Sequence, residues 1–549
     1  MNKPSRRQFL AGAGAGAVAA GLGACSSSNG SSGSGGTAGS MSSYAVGTAF
    51  KATQPLTFSI MMLSNPNYPY NANWPFFKDL KQMTNVGLNA TVIPGTDYNT
   101  KRSAIINAGN APMIIPKTYP GQENEYVAGG AILPVSDYVH LMPNFQAAVA
   151  KWNLQGNLDQ LKQSDGKYYL LPGLHENVWL DYTLAVRTDI MSKLGISTPQ
   201  TWDDVHTMLT KMKQAYPSVT PFSDRWNQPT PGGALLNILS MSYGTAAGWG
   251  FQSPNQGAYW DAASKTWVAT GAMPQFQQVV QYLNTLHSEG LIDPESFTQS
   301  DDAAIQKFVT GKSFVITTNA QSLVNDYRSA LKIPGATVAK IPVPLGPLGA
   351  VIAENGASRL ENGVMISAKA LKSPNFTALM QFVDWLWYSD AGKMFAKWGV
   401  QGTTYTGSIA DNTFKLNPNI KWAGINPTAP KSLQVDYGFF NGVFAYGGST
   451  AFLDSQFTPE ELTFQNLMNQ RKLQPLAPPA PLSSQDQQQV TLWGTTLMDY
   501  VQQQELQFIQ GTRPLSQWSA YVSELNGKNQ GQLVSTINSA TTSFNKKFG

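Results

Sequence analysis

Charge is scarce in this 549-residue chain, with Asp, Glu, Lys and Arg making up 13% of it. Cysteine is nearly missing. Cys25 is the only one, which excludes an intramolecular disulfide and a centre built from several cysteines. The four histidines, His140, His175, His206 and His287, show no metal-ligand spacing such as H-E-x-x-H; they read as surface or hydrogen-bonded side chains. Neither sign of charge is in excess. Removing Lys3, Arg6 and Arg7 of the N-terminal leader from the 37 basic residues leaves 34 against 33 acidic. Such a balance speaks against nucleic acid or an anionic lipid surface as partner, because both call for a clustered basic surplus. The leader's apolar run, about 14 residues, falls short of the ~20 needed to span a bilayer.

What the leader does contain is ordered. A basic head with Arg6 and Arg7 precedes an Ala/Gly-rich apolar stretch, and Leu22-Gly23-Ala24-Cys25 follows. That is the layout of a secretory signal. Ser5-Arg6-Arg7-Gln8-Phe9-Leu10 resembles a twin-arginine export signal. Leu22–Cys25 resembles a lipobox, whose cysteine is acylated and becomes the new N-terminus. Residues 1–24 are therefore expected to be a lipoprotein signal peptide and Cys25 the lipidation site, with two acyl chains sufficing for stable anchoring. The Ser/Gly-rich residues 25–50 are expected to be a flexible tether.

From Leu56 the chain alternates apolar runs and helical periods. Strands are predicted at 56–63, 86–93 and 111–115, with helices from Trp74 and over 97–108, a pattern that argues a parallel sheet. Ligands of such sheets sit at the carboxyl ends of the strands, here the Tyr- and Asn-rich loops 64–73 and 116–121. A further strand is expected over 179–187. Thr201-Trp202-Asp203-Asp204 opens a helix with a capping-box pattern. Later helices are predicted at 275–288 and 374–388, and four more fall in the last ninety residues.

No catalytic signature stands out. Hydrolysis of a glycoside needs two carboxylates about 5–10 Å apart, and the loop acids (Glu123, Glu125, Glu176, Glu354, Asp436) lie in no recognisable hydrolase motif. Gly311-Lys312-Ser313 lacks the leading glycine of a P-loop, and no G-x-S-x-G elbow occurs. Aromatic residues, in contrast, are abundant: 14 Trp, 21 Tyr and 25 Phe. Most such rings belong to cores, but rings on loops suit sugars, whose flat C–H faces stack on them. The open readings are a binder, an exported carbohydrate-active hydrolase or lyase, and a sensor lipoprotein.

Several segments, in order, resemble the large-lipoprotein branch of the family 1 extracellular solute-binding proteins of bacterial ABC importers. The fullest match is 364–405, VMISAKALKSPNFTALMQFVDWLWYSDAGKMFAKWGVQGTTY. It is supported by 165–172, 186–205, 308–317 and 508–521. The resemblance implies an α/β, two-lobed periplasmic-binding-protein-like fold with an interlobe cleft and extra C-terminal helices. Lobe 1 is expected to comprise 51–173 and 363–450, and lobe 2 to comprise 174–362 and 451–549. The resemblance further implies a non-enzymatic, monomeric receptor on the extracytoplasmic face of the cell membrane, which delivers an oligosaccharide or other small solute to permease subunits without a cofactor. Relatives often carry a calcium loop after the capped helix; 215–225 holds one acid, so no metal is expected there. The substrate-binding candidates are loop or strand-end residues: Trp74, Tyr119, Trp179, Arg187, Trp226, Trp249, Glu354, Trp422 and Tyr437. Three of them carry a second reading: Trp74 as a staple of its helix to the core, Arg187 as the partner of Asp189, and Glu354 as a solvated loop acid. Trp202, Trp385 and Trp518 occupy amphipathic helices and read as core.

Overall fold

The computed structural model describes residues 35–227, 230–252, 257–352 and 359–548. The leader, Cys25 and Glu354 lie outside the described residues. β1 (Leu56–Ser64), β2 (Val86–Pro94) and β3 (Ile114–Thr118) run parallel, joined by helices Pro75–Thr84 and Tyr98–Asn107. After β4 (Leu171–His175) the chain crosses to β5 (Thr183–Arg187), β6 (Val315–Thr318) and β7 (Val338–Lys340), then returns through β8 (Leu360–Ile366) to the two-residue β9 (Gly447–Gly448). One sheet has the order β9-β4-β8-β3-β1-β2, with β8 antiparallel to β3 and β4; the other has the order β6-β5-β7, with β5 antiparallel to both neighbours.

Both faces of the first sheet are covered. Phe58, Ile60 and Met62 of β1 enter a core with Phe382 and Leu386, whereas Met61 joins Ile93, Ile106 and Met365 on the opposite face. Where the strand is buried on both faces, at Ile60–Met62, it has no reason to alternate with polar residues; before that, Thr57 is exposed and Ser59 half-buried. The second sheet repeats the device. Leu184 and Val186 pack with Trp202, Leu209 and Leu283, and Ala185 turns toward Phe308, Ile316 and Tyr327.

Helix Trp202–Ala215 carries the predicted capping box: the Thr201 hydroxyl accepts from the Asp204 N–H, and Asp204 accepts from the Thr201 N–H. Four helices close the chain, Pro459–Asn469, Ser484–Ile509, Trp518–Asn526 and Gln530–Phe548. Trp202, Trp385 and Trp518 are buried.

Three expectations need correction. The strand expected over 179–187 begins only at Thr183, because the residues before it cross between the lobes. The first-lobe sheet keeps residues to His175 and resumes at Leu360, so the crossings fall two or three residues inside the positions expected. Residues 35–50 are not a free tether. Ala38 N donates to Pro374 O (2.8 Å), Met41 N to Gln381 Oε1 (2.9 Å), and Phe50 is buried in the first-lobe core. Met41, Tyr44 and Phe50 are few among Ser and Gly, yet they are spaced to dock along helix Phe376–Tyr388; average composition hides them.

Candidate functional site

The carboxyl ends of the first-lobe strands converge on one cavity of about 830 Å³, within the usual range for ligand pockets. Leu63 of β1, Gly95 after β2, Lys117 of β3 and His175 of β4 line one wall. Asp181 and Tyr182 before β5, Asn237 and Met241 on helix Gly233–Tyr243, and Gln321 after β6 form the other. A smaller cavity of about 120 Å³ shares Trp179, Asp181, Gln321, Trp422 and Gln456 with it. The cleft therefore lies between the lobes, beside residues 176–182 that join them.

Local folding aims Lys117 into this space. Tyr98 Oη donates to Pro116 O (2.8 Å), and buried Arg102 donates to Lys117 O (2.9 Å) and to Gln122 Oε1 (3.0 Å). These bonds hold Lys117 at φ +57°, a conformation that costs energy outside glycine and recurs at functional sites. Ala423, at φ +41°, and Phe440, at φ +53°, line the same pair of cavities.

Charged groups gather on the first-lobe wall. His175 Nε2 lies 2.8 Å from Glu361 Oε2, and Lys117 Nζ donates to Tyr446 Oη at 2.9 Å. Lys397 Nζ sits 4.9 Å from the Phe440 ring centroid and 4.6 Å from that of Tyr446. Burial pushes the Glu361 carboxyl up, but the hydrogen bond and charge of His175, with the charges of Lys117 and Lys397, bring it below the ordinary range. Burial pushes the Tyr446 phenol up to about 12, so it stays neutral beside Lys117. Burial also pushes Lys397 down to about 8, against the pull of Glu361. Across the cleft, Asp181 accepts from the Ala320 N–H (2.9 Å) and lies 3.5 Å from Lys340 Nζ.

Of the residues singled out from sequence, Tyr119, Trp179 and Trp422 line the cleft. Tyr119 is 47% exposed, Trp179 meets Phe457 at 5.1 Å, and Trp422 stacks on Phe440 at 4.0 Å. Trp226 and Trp249 stand one layer back, both packed on the cavity-lining Tyr182 at 5.3 and 5.1 Å. Three placements are corrections. Trp74 is core: it is buried, its Nε1 donates to Val435 O (2.9 Å), and its ring stacks on Phe77. Tyr437 packs against the same core, its carbonyl accepting from the Phe76 N–H (3.1 Å). Arg187 ends β5 at the edge away from Tyr182 and is closed in a bidentate pair with Asp189, both bonds 2.7 Å.

Sequence reasoning missed Lys117, Glu361, Lys397, Tyr446 and Tyr182, and it left His175 as a bland histidine. One trace was visible: a lysine at 397 between Ala396 and Trp398, on the inward side of an otherwise amphipathic helix. Within 215–225, Asp224 is buried and accepts from the Thr317 N–H (3.0 Å) and hydroxyl (2.5 Å). Among the described residues, no group of three or more His, Cys, Asp or Glu is placed to hold a metal ion.

A model of the family described as bacterial extracellular solute-binding protein matches residues 70–393. Lipoprotein LipO of Bacillus subtilis is 23% identical over 287 residues, covering 50% of this chain and 52% of that protein, so the match spans about half its length. The fructooligosaccharide ABC transporter substrate-binding protein FusA of Streptococcus pneumoniae is 23% identical over 457 residues, covering 79% of this chain and 77% of that one. Among solved structures, alginate-binding protein AlgQ2 without calcium ion gives a TM-score of 0.67 at 18% identity, covering 90% of this chain and 99% of that one.

Proposed function

Because the chain belongs to the family of bacterial extracellular solute-binding proteins, we propose that it is an oligosaccharide receptor serving an ABC importer. The observation that carries this reading is the cleft lining. Tyr68, Tyr119, Trp179, Tyr182, Trp422 and Tyr446 supply rings, and Asn65, Asn237, Gln321, Gln434 and Gln456 supply amides, around one interlobe cavity of about 830 Å³. Rings accept the C–H faces of pyranose or furanose units, and amides both donate to and accept from hydroxyls. FusA is named for fructooligosaccharides and AlgQ2 for alginate, which favours a saccharide over other solutes. Lobe 1 is built on the sheet that holds residues to His175 and resumes at Leu360, lobe 2 on the sheet of β5, β6 and β7, and the segments that cross between them serve as the hinge. The protein acts as a monomer and does no chemistry on its ligand. Contacts made to both lobes at once hold the closed state.

The test is a glycan panel read by melting temperature, since a ligand at 100 times its Kd adds about 2.7 kcal/mol, followed by chromatography of the bound glycan. Recovery of shortened or unsaturated products would replace the receptor by a hydrolase or lyase. Trp179→Ala and Trp422→Ala are each expected to weaken the glycan so identified at least tenfold, about 1.4 kcal/mol, while melting close to wild type. Early melting with unchanged affinity would place both rings in the scaffold instead.

The anchor is proposed to be lipid on Cys25 after twin-arginine export, which confines the receptor near its permease. Cys25→Ser is expected to move the protein from the membrane fraction to the soluble fraction with its glycan affinity unchanged. Membrane retention of that variant would locate the anchor elsewhere.

A further inference from the structure

The first-lobe wall holds two ammonium groups and one carboxylate. Glu361 is bonded to His175 Nε2 at 2.8 Å, and no carboxylate lies within ion-pair distance of Lys117 or Lys397 among the described residues. Lys117 makes its hydrogen bonds to phenol hydroxyls, Tyr446 Oη at 2.9 Å and Tyr119 Oη at 3.4 Å. Lys397 is 7% exposed and lines the cavity, and among the described residues its Nζ has ring faces around it but no hydrogen-bond acceptor. An ammonium carries three donors. Burying it without an acceptor is costly unless a partner of opposite charge arrives. Ring faces offset only part of that cost.

We propose that Lys117 and Lys397 form a seat for one anionic group of the ligand, a carboxylate or sulfate carried by an acidic saccharide. The proposal rests on the oligosaccharide reading above and narrows it. The seat is confined to the first lobe. Asp181 on the facing wall, beside the Lys340–Glu461 pair, would repel a second anion and suits hydroxyls, so the ligand presents its acid to one side only. A neutral sugar could accept bonds from the same lysines, but its hydroxyls would leave the surplus positive charge uncompensated.

Proton linkage gives the seat a signature. The groups facing Lys397 are Glu361 from β8, Lys117 from β3, Tyr446 ahead of β9 and His175 from β4. On its own helix Lys393 turns to Trp152 instead (5.4 Å). Burial holds Lys397 at about 8. An anion beside it favours the charged form and raises that value, so the complex binds more protons than the free protein. Affinity is then full below about 8 and falls above it by as much as ~tenfold per pH unit, the slope of one linked proton.

The experiment uses matched probes: oligogalacturonates and oligomannuronates of three to five units, their carboxyl-reduced neutral counterparts, and neutral fructo-, manno- and xylo-oligosaccharides. Binding to the intact protein is measured by calorimetry at pH 7 and pH 9. The expected result is that an acidic member binds at least ~30-fold more tightly than its reduced counterpart at pH 7, and that Lys397→Met cuts that preference about tenfold and removes the loss at pH 9. Lys117→Gln is the second variant, expected to cut the same preference with melting preserved. A reduced or neutral member binding as tightly as any acidic one, or both variants keeping the acidic preference, overturns the anionic seat and leaves the receptor reading standing. Binding by no member of the panel overturns both.

Discussion

Lys340→Met is expected to destabilise the protein by about 3–5 kcal/mol, the usual cost of removing one partner from a buried ion pair. Lys340 ends β7 with its side chain 1% exposed, and it donates to both oxygens of Glu461, at 2.8 and 3.0 Å. It also lies over the Phe464 ring at 3.8 Å. Without the ammonium, the Glu461 carboxylate keeps one side-chain donor, Gln465 Nε2 at 2.9 Å. Burial already pushes Glu461 above its ordinary value despite Lys340, and the variant releases it further. A carboxyl whose folded value is raised is stable while protonated and costs stability as pH rises through that value. The loss in chemical denaturation should therefore be smallest on the acidic side and grow as pH rises through the raised value. Lys340→Met combined with Glu461→Leu should recover most of it, because an apolar pair replaces a buried ionic one at little cost. An equal loss in the double variant, or none in the single one, would show that the pair does not act as a unit.

That pair also marks what a sequence can and cannot reveal here. The parallel opening of the first lobe, the capping box at Thr201 and the closing helices are written in local spacing: apolar runs for doubly covered strands, every third or fourth residue for helices. Tyr119, Trp179 and Trp422 were reachable because they sit on loops at strand ends or lobe crossings. Trp74 obeyed the same loop rule, yet its indole finds an acceptor 361 residues away, at Val435, a contact that local composition does not encode. Arg187 is the opposite case: its partner Asp189 is two residues off, local enough for the pairing to be one of its two readings from sequence, and the pair closes it at the end of β5 away from the cleft. Lys117, Glu361 and Lys397 come from three separate segments, and only the sheet order that sets β8 between β3 and β4 brings the first two onto one wall. Lys397 alone left a trace, a charge where its helix should have been apolar.

Asp384→Ala is expected to cost about 3 kcal/mol or more, because it strands several donors at once. Asp384 is fully buried on helix Phe376–Tyr388. Its Oδ1 accepts from the Phe145 N–H (2.8 Å), and its Oδ2 accepts from the Asn144 N–H (3.0 Å), Asn144 Nδ2 (2.7 Å) and Tyr44 Oη (2.9 Å). Two of these are unpaired amides at the start of helix Pro143–Lys151, where a carboxylate also meets the positive end of the helix dipole. The fourth donor belongs to residues 35–50, so one side chain fastens that segment, a helix start and a core helix. Tyr44→Phe removes only the two bonds of one hydroxyl, its donation to Asp384 and its acceptance from Asn144 Nδ2 (3.0 Å), and should cost about 1–2 kcal/mol. The two variants then separate by more than melting temperature. In limited proteolysis, Asp384→Ala should open cleavage sites between residues 40 and 50 under conditions where Tyr44→Phe and wild type stay intact. If Asp384→Ala melts lower but that segment remains protected, the carboxylate serves the helix start alone, and Met41, Tyr44 and Phe50 hold the N-terminal segment by burial.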